Sequence, residues 1–99
     1  MNLDHIAEGI AQTALEEFSG LAGDVGPELK GRALEVAQNL ARAQLQRLAG
    51  QSVDEAQTVA RASFANLTAA GGQKVASALL SAVHVTLVRG LEGLVAAAG

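Results

Sequence analysis

The sequence predicts an all-α fold: four helices paired as two antiparallel αα-hairpins, a small helical bundle completed by oligomerisation. Three observations carry that expectation. Apolar residues recur at steps of three and four along the chain, and no segment alternates as a strand would. Glycine clusters and the single proline mark joins at residues 20–27, at Gly50 and at Gly71-Gly72. Ser52-Val53-Asp54-Glu55 reads as a capping box, the strongest local start signal in the chain. Ninety-nine residues make one domain, with helices expected at about 3–22, 27–49, 53–70 and 73–95.

The first helix has Asn2 as a candidate N-cap. Its stripe is Leu3, Ile6, Ile10, Ala14, Phe18, Leu21 and Val25, and it carries acids but no Lys or Arg. Pro27 suits the first turn of the second helix, where its missing N–H costs nothing. That helix runs to Gly50, which suits the residue just past a helix end. Leu29, Ala33, Val36, Ala37 and Leu40 form its seam, widened by Leu34, Ala41, Leu45 and Leu48. Folding the pair about Val25 faces Asp4 with Arg47, Glu8 with Arg42 and Glu17 with Arg32. Such exposed pairs select a register and contribute about 0–1 kcal/mol each.

The third helix presents Val53, Ala56, Ala60, Phe64 and Leu67 on one face and stops at Gly71-Gly72. Folding the fourth helix back there brings Phe64 to Leu79, Ala60 to Val83 and Glu55 towards Arg89. The fourth helix is the most apolar stretch. Ala76, Leu79, Leu80, Val83, Leu87, Leu91 and Leu94 make a broad core face. Opposite them a second seam, Ala78, Ser81, Val85, Val88, Glu92 and Val95, has no use in a monomer, so these residues are the expected oligomer interface.

Composition narrows function mainly by exclusion. A net charge of −3 with no basic stretch interleaved by aromatics argues against nucleic acid. No cysteine means no thiolate catalysis and no cysteine zinc site. The start, MNLDHIAEG, lacks the basic and then apolar pattern of a signal peptide, and no apolar run reaches the length of a membrane span. GLAGDVG, residues 20–26, lacks the strand and GxxxxGK[ST] pattern of a phosphate loop. Ser81 and His84 are three apart, but mid-helix amides cannot serve as an oxyanion hole. His5 with Asp4 and Glu8 is a poor metal set, because the carboxylate-bridged bundles use paired E-x-x-H motifs. The expectation is therefore no enzyme, no cofactor and no metal.

What remains is a non-enzymatic structural or assembly protein, a helical subunit of a homo-oligomer or larger particle such as a phage virion or similar bacterial assembly. Its partner is a second copy or another helical protein, in the cytoplasm or within the particle. Two alternatives stand beside it: a membrane-associated protein acting through the C-terminal helix, and an adaptor that holds a partner's helix in its groove.

Overall fold

A computed structural model describes residues 3–98, with side chains through Gly90. The fold is all-α: α1 (Leu3–Ala22), α2 (Pro27–Leu48) and α3 (Asp54–Ala98). The expected four helices in two hairpins are thus corrected to three: one helix pair followed by a single long helix bent back on itself. A straight 45-residue helix would be about 68 Å long at 1.5 Å per residue. The largest extent of the molecule is 39 Å, so α3 must reverse, and Gly72 is its one non-helical residue (φ 86°, ψ 171°). The Gly71-Gly72 pair reads as a stop and a start. In the structure no linker separates the two, because a single glycine turns the chain. We refer to residues 54–71 and 73–98 as the N-terminal and C-terminal arms of α3.

Gly72 lies in a backbone region that is essentially closed to residues with a side chain. Its neighbour is constrained differently. A Cβ on Gly71 would come within 3.0 Å of a Val75 methyl and 3.3 Å of Leu29 Cδ2, so the start of α2 packs directly on the bend.

The other helix ends are set locally. Gly26 precedes Pro27 with a positive φ, and its N–H donates to Asp24 Oδ1 at 3.1 Å. After α2, Gly50 takes the left-handed conformation and its N–H donates to the Arg47 carbonyl, while Gln51 N–H donates to that of Gln46. These two bonds form a Schellman closure. The first turn of α3 closes through Gln57 N–H to the Val53 carbonyl at 2.7 Å. The cap is therefore Val53, one residue later than the expected Ser52. Asp54 and Glu55 both lie in that turn, where the helix dipole favours them. Asn2, the expected cap of α1, lies outside the described residues.

The core is built on alanine. Ten of the sixteen buried apolar residues among those described are alanines. The largest fully buried side chains are Phe18, Leu67, Leu79 and Val36. Small side chains let helix axes approach closely, so alanines take the centre of each contact and larger residues flank it. This rotates two faces from their expected phase. In α1 the buried positions are Ala7, Ala11, Ala14 and Phe18, with Leu3, Ile6 and Ile10 half-buried and Leu21 exposed. In the C-terminal arm they are Ala76, Leu79, Ala82, Val83 and Thr86, while Leu80 is 51% exposed. The Thr86 hydroxyl donates to the Ala82 carbonyl at 2.8 Å, which satisfies it inside the core.

The ion pairs also differ from expectation. Asp4 meets Arg42, not Arg47, because the α1–α2 reversal is centred nearer Gly23 than Val25, about one helical turn away. The 2.7 Å contact from Arg42 Nε is an electrostatic one, not a well-aligned hydrogen bond. Glu17 pairs with Arg89 at 2.8 Å, since α1 packs on the C-terminal arm as well as on α2. Arg32 meets Glu28 of its own helix.

Replacing Gly72 with Ala should cost about 1–3 kcal/mol, read as a lower melting temperature. Gly31→Ala, in the exposed interior of α2 with open space around it, should instead stabilise by about 0.4–1 kcal/mol. Equal effects at the two sites would mean that the chain does not turn at Gly72.

Candidate interaction groove

Three of the four helical segments diverge along one side of the molecule. The second half of α2 contributes Leu40, Ala43, Gln44 and Arg47. The N-terminal arm contributes Gln57, Ala60, Arg61, Phe64 and Ala65, and the C-terminal arm Leu80, Val83, His84 and Leu87. Between them lies an open groove of about 400 Å³ to which α1 contributes nothing. Ala60 and Val83 are almost fully buried at its base, whereas Arg47, Arg61, Leu80 and His84 are exposed.

Local structure explains the walls. The Schellman closure at Gly50 turns the chain so that α2 and the N-terminal arm run side by side. Asn39 Nδ2 then donates to Ser63 Oγ at 3.1 Å, and Ser63 donates to the Ala60 carbonyl, which pins the two segments at mid-length. The reversal at Gly72 brings the third wall alongside. Phe64, assigned from sequence to a closed contact with Leu79, is half-buried and packs against the core while its ring also lines the groove.

The charges are unevenly used. Of the five arginines, Arg32, Arg42 and Arg89 face carboxylates. Arg47 and Arg61 have no such partner among the described residues, and both line the groove. Among the described residues no acidic one lines it. The result is an apolar trough with two guanidinium groups at its rim, from α2 and from the N-terminal arm.

The expected interface residues lie beside this groove. Ser81 is exposed and Val88 is 41% exposed, whereas Val85 is half-buried and Ala78 packs against the core. The side chains of Glu92 and Val95 lie outside the described residues, as do those of Leu91 and Leu94. Leu80, His84 and Val88 follow one another at four-residue steps and are all exposed, a stripe on the outer edge of the C-terminal arm. Sequence reading placed Leu80 in the core and so missed its part in this edge. The signal available was Ala82, which competes with Leu80 for the inward position.

No family model, curated protein or solved structure matches the chain. Among the described residues no helix is long and apolar enough to cross a membrane, and no group of three His, Asp or Glu residues is placed to hold a metal ion. His5 is exposed in the first turns of α1, beside an Asp4 that faces Arg42. Ser81 and His84 are likewise exposed.

The rotated phase of the C-terminal arm is directly measurable. Leu79→Ala, at a fully buried position, should cost about 2–5 kcal/mol in urea denaturation. Leu80→Ser, one residue on, should stay within about 0.5–1 kcal/mol of the parent. The reverse ranking would show the arm turned the other way.

Proposed function

We propose that the protein is a non-enzymatic assembly subunit, joining a second copy or another helical chain to form a homo-oligomer or a larger particle. The observation that carries this reading is the exposed Leu80–His84–Val88 edge of the C-terminal arm, flanked by Ser81 and Val85. A second argument comes from the core. Burying an alanine methyl contributes about 0.8 kcal/mol, against about 1.5–3 for a Leu or Phe side chain. A 99-residue chain with so many alanines inside gains most from covering its remaining exposed leucine and valine side chains.

Light scattering coupled to gel filtration tests the reading. The expected mass is a multiple of 10.0 kDa, and the double change Leu80→Asp with Val88→Asp should reduce it to that of one chain while far-UV circular dichroism is unchanged. A single-chain mass for the unmodified protein at high concentration would exclude self-association. Cross-linking in the source cell would then have to recover a different helical partner for the proposal to survive.

A further inference from the structure

We infer that the groove between α2 and the two arms of α3 is a binding site for a single-chain amphiphile with a carboxylate head, a medium-chain fatty acid. Its size comes first. The walls run over residues 40–47, 57–65 and 80–87, eight or nine residues each, so the groove spans seven or eight helical steps and is about 11–12 Å long at the helical rise. A volume of about 400 Å³ lies in the range of small-molecule sites, which are mostly apolar with a few placed polar groups. A partner helix fits less well: it is about 10 Å across with its side chains, and two turns of contact fall well short of a standard protein interface.

The lining then selects the chemistry. Leu40, Phe64, Leu80, Val83 and Leu87 with Ala60 offer an apolar bed with no buried polar group to satisfy among the described residues, suited to an alkyl chain. At the rim stand Arg47 and Arg61, the two arginines with no carboxylate facing them among the described residues. In a chain of net charge −3, acids are in excess, yet both remaining guanidinium groups border one apolar groove with no acid among its described lining residues. A guanidinium binds a carboxylate through two parallel N–H donors. The alkyl chain would lie along the bed and the head at a rim arginine.

This site is independent of the assembly proposal, although Leu80 and His84 border both surfaces. The test is a titration of the full chain with decanoate at neutral pH below its micelle concentration, followed by amide NMR, with 1-decanol and decyltrimethylammonium as controls. One decanoate should bind per chain and move the signals of Ala60, Phe64, Val83 and His84. Decanol should bind about tenfold or more weakly, as should decanoate to an Arg47→Gln, Arg61→Gln variant. Both arginines are exposed, so melting should not change. Ala65→Trp, at an exposed position on the groove wall, should block binding without touching either charge. Decanol binding as tightly as decanoate, signal changes confined to residues outside the groove, or undiminished binding by Ala65→Trp would each overturn the proposal. So would a groove that ignores decanoate and takes only an acidic helical peptide. Sedimentation of the same samples keeps the two readings apart: decanoate bound by single chains supports this site and counts against self-association.

Discussion

The helices of this protein meet through alanine, and most of the architecture follows from that contact. A methyl group at the point of closest approach lets two backbones come nearer than a leucine would allow. The leucines, isoleucines and valines are displaced to the flanks, where they fill the angles between helices. Ala11, Ala14, Ala33, Ala37 and Ala82 are fully buried with Phe18, Leu67 and Leu79, a few large side chains among many small ones. The large residues left on the flanks are the ones that build the groove and the outer edge of the C-terminal arm.

Close packing of this kind needs chain reversals that occupy little space. Gly26 and Gly72 share an extended backbone of mirror-image sign, φ 90° with ψ 160° and φ 86° with ψ 171°. At Gly72 one residue redirects the helix axis, whereas Gly26 closes a four-residue turn, 23–26, that Gly23 opens. Only glycine adopts that conformation readily, and at Gly71 the neighbouring Leu29 also limits the room. The price is a bend with little freedom to vary in sequence. The Schellman closure at Gly50 likewise takes several residues, 49–53, and the two segments it joins, α2 and the N-terminal arm, supply two walls of the groove.

Much of this was legible in the sequence, because the informative signals are local. Gly-Gly, Gly-Pro and a lone glycine after a helical pattern each have a direct backbone meaning, and the all-α class follows from periodicity. The phase of the helices was harder to read. A hydrophobicity ranking places leucine above alanine, so it assigned Leu80 and Leu21 to the core. Packing geometry placed Ala82 and Ala11 there instead. The ion pairs were misread for a related reason, since Glu17 meets Arg89 across a contact between α1 and α3 that pairing helices in sequence order does not generate. The groove had no sequence signature at all. It arises where three segments diverge, and its residues belong to stripes that each look like ordinary core.

The alanine core also has a thermodynamic consequence. The heat capacity of unfolding rises with the apolar surface exposed, and in ordinary globular domains it is about 12–15 cal/mol/K per residue. Methyl groups expose less surface per buried residue than leucine or phenylalanine. This protein therefore belongs at the low end of that range, with a correspondingly shallow dependence on denaturant. Its stability curve should accordingly be broad and flat, little changed between cold and warm conditions.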